Sequence, residues 1–204
     1  MNPKFVVVEG VDYSGKSTFV DKLKRALQAK GYKVATFAAP SKYGNEGVLR
    51  QYIIGNPDLS DYSLMCLMAA SMAQTQAQIQ ECLDNGFIVI CDRWYYSMWA
   101  YQVEPNGHLW ELYFKLTEQL LQPDLLITLD IIYEQYKVRM ENRKSQNHLD
   151  TQDQDVFNQR RNSYLNYLWQ GKYVNKVLAS KVAPISSGFK SEEMFFQYCL
   201  DYFA

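Results

Sequence analysis

Histidine and cysteine are scarce in this chain of 204 residues, and their scarcity removes several kinds of chemistry at once. The two histidines, His108 and His148, have no neighbours at metal-ligand spacing, so a zinc centre is not expected. The four cysteines, Cys66, Cys82, Cys91 and Cys199, stand apart in apolar stretches without a C-x-x-C pair, which suits buried thiols in a reducing compartment rather than disulfides. No apolar run approaches the roughly 18 residues of a membrane span. Residues 1–4 lead at once into an apolar segment with no leader pattern, so the expectation is a cytoplasmic protein with no membrane partner. Positive charge is not in excess either: a net charge of −1 leaves no basic footprint for a nucleic acid, and any cationic chemistry must be local. There is no internal repeat and no low-complexity tract.

What is present declares itself near the start. Gly10-Val11-Asp12-Tyr13-Ser14-Gly15-Lys16-Ser17-Thr18 fits the phosphate-binding pattern G-x-x-x-x-G-K-[ST], directly after the apolar run Phe5-Val6-Val7-Val8. Such a pattern arises by chance in about one chain in a hundred of this length, and chance matches lack a strand before and a helix after. Here Phe19, Leu23, Ala26 and Leu27 supply the helical spacing. The two glycines let the backbone turn so that its N–H groups converge on phosphate oxygens at a helix N-terminus. Lys16 adds a mobile charge and Ser17 a hydroxyl suited to Mg²⁺.

Strand and helix signals then alternate to the end, the pattern of one parallel sheet with helices on both faces. Strands are expected at 4–9, 33–37, 87–91, 124–129 and 181–185, with helices at 16–29, about 60–84, 108–121, 132–143, 154–169 and 191–203. In 60–84, Leu64, Leu67, Met68, Ser71, Met72, Thr75, Ile79 and Leu83 recur every three or four residues; that face belongs either to the core or to a pocket wall. The polar stretch 142–153 reads as a mobile loop within a single domain spanning 1–204. Arg139 and Arg143 stand one turn apart ahead of it, able to face one ligand or to form a solvated charged face.

A second charged site follows the apolar run 87–91. Asp92 and Arg93 emerge at the carboxyl end of a buried strand, where ligands gather in open α/β sheets. A carboxylate there can hold Mg²⁺ and a guanidinium can fork onto a phosphate, or the two can simply form ion pairs with other elements.

Taken in order, Glu9-Gly10-Val11-Asp12 with Gly15-Lys16-Ser17-Thr18, Asp92-Arg93-Trp94 with Ser97 and Ala100-Tyr101-Gln102, Pro123-Asp124-Leu125 ahead of Asp130, and Phe157, Arg161 and Tyr164 make the chain resemble the thymidylate kinase family over nearly its whole length. The resemblance implies the P-loop kinase fold with a five-stranded parallel sheet and a short lid at about 142–153. It implies ATP and Mg²⁺, and transfer of the γ-phosphoryl group to a deoxynucleoside monophosphate, dTMP first. Residues 10–18 and Lys16 would hold the donor phosphates, with Ser17 and Asp92 at Mg²⁺. Asp12 would lie near the acceptor's sugar and phosphate, Arg93 would grip that phosphate, and Tyr101 would pack by the sugar. Ser97 and Gln102 complete the acceptor motif. Arg139 and Arg143 would approach the transferring group, and Tyr13 at the loop position puts that burden on them or Lys144. A homodimer is also implied.

Two departures bear on the acceptor base. The family's arginine before the proline after the second strand is replaced in Phe37-Ala38-Ala39-Pro40, with Lys42 or Arg50 as substitutes. Where the family stacks a Phe on thymine and reads it with an Arg, this chain has Met68 and Met72. A kinase for another or a modified base, or for a nucleoside, is therefore the alternative. A nucleotide-binding switch is a further one, although no N-K-x-D guanine signature is present.

Overall fold

The computed structural model describes residues 4–41, 44–142, 150–151, 153–169, 181–182 and 188–203. Five strands, β1 (Phe5–Glu9), β2 (Val34–Ala38), β3 (Ile88–Asp92), β4 (Leu125–Thr128) and β5 (Lys181–Val182), form one parallel sheet in the order β2-β3-β1-β4-β5. Each coincides with an expected strand; the expected continuation of the last to 185 lies outside the described residues. The two central strands are buried at every position, which is why they read as unbroken apolar runs rather than alternating ones.

Alternate side chains nevertheless serve different layers. Phe5, Val7, Val89 and Cys91 enter one core, and Val6, Val8, Ile88, Ile90, Leu125 and Ile127 enter the other. The second core is closed by α1 (Lys16–Ala29), whose Val20, Leu23 and Leu27 recur at helical spacing, and by α8 (Glu192–Leu200). Each such fully buried side chain contributes about 1.5–3 kcal/mol. The first core is covered by α3 (Asp61–Asp84) and α5 (Trp110–Thr117). Ser60 caps α3 by accepting from the Ser63 N–H, with Asp61 in its first turn.

Further helical pieces lie between these elements, and a 3-10 turn over Asp201–Phe203 follows α8. α2 (Gly44–Gly55) was not expected from the sequence, and α4 (Tyr96–Met98) runs on as a π-helical turn over Trp99–Val103. α6 (Tyr133–Glu141) and α7 (Gln154–Trp169) flank the expected lid, of which residues 143–149 and 152 lie outside the described set. Among the described residues no helix is long and apolar enough to cross a membrane.

Register places the chemistry. Val8 of β1 pairs with Asp92 of β3 and with Ile127 of β4, so the carboxyl ends of all three strands open on the same edge. Asp124 fixes the opposite end, its carboxylate accepting from the backbone N–H of Lys4 and Phe5.

Candidate active site

The loop leaving β1 has room for nothing larger than glycine at its first position. Gly10 has φ 140°, and a Cβ there would stand 2.2 Å from the carbonyl oxygen of Leu129. The chain then turns through Tyr13 at φ 61° and Gly15 at φ 95°, the residue that opens α1. The amides of the first turn of α1 have no partners within the helix and carry its positive end, the arrangement an oligophosphate needs. Lys16 is folded back over this loop, its Nζ donating to the carbonyls of Val11 at 2.7 Å and Gly10 at 3.0 Å. Burial lowers its pKa to about 8, and the guanidinium of Arg93 acts in the same direction, against the carboxylates of Asp12, Asp92 and Glu9.

On the next strand Asp92 accepts from the Ser17 hydroxyl at 2.7 Å. Two hard oxygens held at one point, open to a cleft, are what Mg²⁺ asks of a protein when phosphates and water supply the rest. No cluster of three or more His, Cys, Asp or Glu capable of binding a metal occurs among the described residues.

Arg93 follows at φ 72°, left-handed backbone that a residue other than glycine adopts only under constraint. Its Nη2 meets Asp12 Oδ1 at 2.5 Å, while Nη1 donates to Gly10 O at 3.1 Å, Ser97 Oγ at 3.0 Å and Tyr164 Oη at 3.2 Å. Tyr101 Oη donates to the other oxygen of Asp12 at 2.8 Å. Burial opposes ionisation of Asp12, but Arg93, then Lys16 and the Tyr101 hydroxyl, outweigh it and hold the carboxyl well below its usual range. Burial pushes the Tyr101 phenol above its ordinary range, so the hydroxyl remains a donor.

Two cavities meet here. The larger, 780 Å³, runs along the phosphate loop past Asp92, Asp130 and Arg139 to Phe189 and Phe195. The smaller, 100 Å³, is walled by Ile53, Ile54, Leu64, Met68 and Pro40, with Ser97, Tyr101 and Gln102 on its polar side. Gln102 is 5% exposed, and its Oε1 has no hydrogen-bond partner among the described residues. Asp12, Arg50 and Arg93 line both cavities.

Met72 is not with them. It is 1% exposed and packs in the core with Met65, Ile79 and Trp94, so the expectation that it lines the base pocket is corrected. Four residues advance a helix by about 6 Å, which takes Met72 past the pocket that Met68 reaches. Gln74 and Gln78 are exposed, and Ser71 accepts from the Ser41 N–H. The aromatic residues after β3 divide likewise: Trp94, Tyr95, Tyr96 and Trp99 are core, whereas Tyr101 lines the smaller cavity.

Of the two arginines ahead of the lid, Arg139 faces the larger cavity and donates to the Tyr13 carbonyl at 2.9 Å; Arg143, like Lys144 and Lys42, lies outside the described residues. Ser17 and Thr18 are exposed at the mouth of the loop, Ser14 is buried behind it, and Tyr13 turns its ring against Tyr136 with centroids 5.3 Å apart. Arg161 holds Asp130 through two bonds of 2.6 Å. Sequence reasoning assigned no role to Glu9, a carboxylate with no solvent exposure directly behind the loop; the signal available was an acidic residue closing an apolar strand.

A phosphate loop, a paired Ser17 and Asp92, and the Arg93 guanidinium on the adjacent strand, all lining one cleft, are the layout of a P-loop phosphotransferase. The comparisons narrow the class. The family model for thymidylate kinase matches residues 8–182. A thymidylate kinase of Mycoplasmoides gallisepticum is 31% identical over 86% of each chain, and one of Exiguobacterium sibiricum is 34% identical over 78% of each. The crystal structure of thymidylate kinase from Ehrlichia chaffeensis superposes with a TM-score of 0.73 over 98% of each chain at 18% identity, a likeness of fold. The chain belongs to the thymidylate kinase family.

Proposed function

We propose that the protein transfers the γ-phosphoryl group of ATP to dTMP, giving dTDP and ADP. The observation that carries this reading is the meeting of the two cavities: an open polar cleft at the phosphate loop and a small apolar pocket share Asp12, Arg50 and Arg93 as their common wall. A donor and a phosphorylated acceptor seated in them present their phosphates to the same guanidinium.

In this arrangement the amides of residues 10–18 and Lys16 hold the donor phosphates, and the lysine exchanges the carbonyls of Gly10 and Val11 for phosphate oxygens. Ser17 and Asp92 are the residues that would hold Mg²⁺, which neutralises charge on the donor phosphates. Arg93 grips the acceptor phosphate, while Asp12 and Ser97 fix the guanidinium's angle. Arg139 reaches the transferring group from α6 and Arg50 borders it from α2; Arg143 joins Arg139 in the same proposal. Tyr101 packs by the sugar. Met68 presses on the base, and the unpartnered Oε1 of Gln102 accepts from a ring N–H, a donor thymine presents and cytosine lacks at the equivalent position. Catalysis is then positioning and charge neutralisation, with no covalent intermediate. A cytoplasmic homodimer with a lid at about 142–153 belongs to the same reading, supported by family membership.

Coupled ADP release from ATP, measured with dTMP, dUMP, dCMP, dGMP, ribonucleotides and thymidine in turn, tests it. Strong stimulation by dTMP is expected. Equal stimulation by thymidine would move the acceptor to a nucleoside, and release that no acceptor stimulates would favour a nucleotide switch.

A further inference from the structure

The buried carboxylate of Glu9 lies outside both cavities, yet every side chain that steadies the inner edge of Arg93 answers to it. Its Oε1 accepts from the Trp94 N–H at 2.8 Å, the amide that follows the strained Arg93 residue. Its Oε2 accepts from Ser97 Oγ at 2.8 Å and Tyr164 Oη at 3.2 Å. Each of those hydroxyls owns a single proton. With both protons turned to Glu9, their lone pairs face Arg93 Nη1, which donates to Ser97 Oγ at 3.0 Å and Tyr164 Oη at 3.2 Å. The carboxylate itself stands 3.9 Å from Nη1, close enough to attract the guanidinium but behind the hydroxyls.

We infer that Glu9 is a positioning residue for the acceptor phosphate: it polarises the Ser97 and Tyr164 hydroxyls so that both accept from Arg93, and thereby fixes the guanidinium facing the shared wall of the two cavities. This rests on the reading of Arg93 as the acceptor's phosphate grip. The position is unusual for a mere structural ion pair. Glu9 has no solvent exposure, a setting in which a carboxylate is retained only when its lone pairs are filled, and here they are filled from three sides by groups belonging to the Arg93 turn or its supports. Replacing it by glutamine keeps the volume but introduces an N–H₂ group that must point either at the Trp94 N–H, a donor facing a donor, or at the two hydroxyls, whose protons then lose their acceptor and can turn toward Arg93.

The test compares Michaelis constants for dTMP and for ATP in Glu9→Gln, Ser97→Ala and Tyr164→Phe, each alone and in an Arg93→Ala background. The expected result is an acceptor KM raised about tenfold by Glu9→Gln and about threefold by Tyr164→Phe or Ser97→Ala, with the ATP KM within twofold of the parent. In the Arg93→Ala background Glu9→Gln should add nothing further to the acceptor KM, because the group it positions is gone. Should Glu9→Gln fail to fold, Tyr164→Phe, which removes one oxygen, carries the same split. An equal rise in both Michaelis constants, or a full additional loss in the Arg93→Ala background, would overturn the inference. An Arg93→Ala enzyme with unchanged acceptor KM would overturn the reading on which it rests; a raised acceptor KM there with none in Glu9→Gln would sink the inference alone.

Discussion

The donor and acceptor sides of the cleft are built on adjacent strands and prepared in opposite ways. On the side proposed for the acceptor, Arg93 is held by Asp12, Gly10, Ser97 and Tyr164. On the donor side Lys16 is occupied with the carbonyls of its own loop, and Arg139 is tied to the Tyr13 carbonyl. On the proposed reading the acceptor phosphate meets a fixed mould, and the donor must win its cations from backbone oxygens. One side gains affinity from low reorganisation, and the other makes its full electrostatic grip conditional on the nucleotide.

Substitutions on either side test that contrast. The largest effect is expected from Gly10→Ala, which would force a Cβ against the Leu129 carbonyl and strain both sides together. Activity should vanish and stability fall by about 3 kcal/mol or more, read by turnover and denaturant unfolding. Met72→Arg comes next. With its side chain in the core, an arginine there would bury an unpaired charge and lower stability by about 3–5 kcal/mol rather than sharpen preference for thymine. A well-folded, more selective variant would return Met72 to the base pocket.

Lys16→Met should cost about 100-fold or more in kcat/KM for ATP while leaving the fold intact. Arg93→Ala should raise the acceptor KM roughly 10- to 100-fold, whereas Arg139→Ala should act mainly on kcat. Interchanged phenotypes would dissolve the distinction between mould and conditional grip. A graded effect, spread over pH, follows from titration of Lys16. Its pKa, near 8 in the fold against an ordinary value near 10.5, means that between these pH values the unfolded chain binds the extra proton. Stability of the ligand-free protein should therefore rise with pH across that window while ATP affinity falls, and Lys16→Met should abolish both trends.

The sheet was legible because β1 and β3 carry their burial in unbroken β-branched runs, and the phosphate loop because its spacing is a mechanical requirement. The Asp92-Arg93 pair was legible from its place at a strand end. α2 was not: Gly44, Gly47 and Gly55 weaken its helical pattern, and Val48 and Tyr52 are exposed rather than inward-facing. The π turn at Trp99–Val103 likewise has no periodic signature, since a run of aromatic and apolar residues broken only by Ser97 and Gln102 reads equally as a strand or a buried helix. Met72 went astray because a stripe of residues every three or four names a face without saying how far along the axis the pocket extends. Glu9 and Tyr164 meet across a separation of 155 residues, a contact that no local pattern encodes.

The register of β1 against β3 also has an evolutionary consequence. Val8 beside Asp92 sets the offset between the loop that meets the donor and the turn that meets the acceptor. A single inserted or deleted residue within β3 would shift that offset by about 3.3 Å and send every following side chain to the opposite face. The surface joints between helices carry no such constraint, as at Asn56–Ser60 between α2 and α3. Length variation in descendants of this chain should therefore accumulate at those joints and be purged from the two central strands, leaving an alignment whose gaps trace the outline of the cleft without ever entering it.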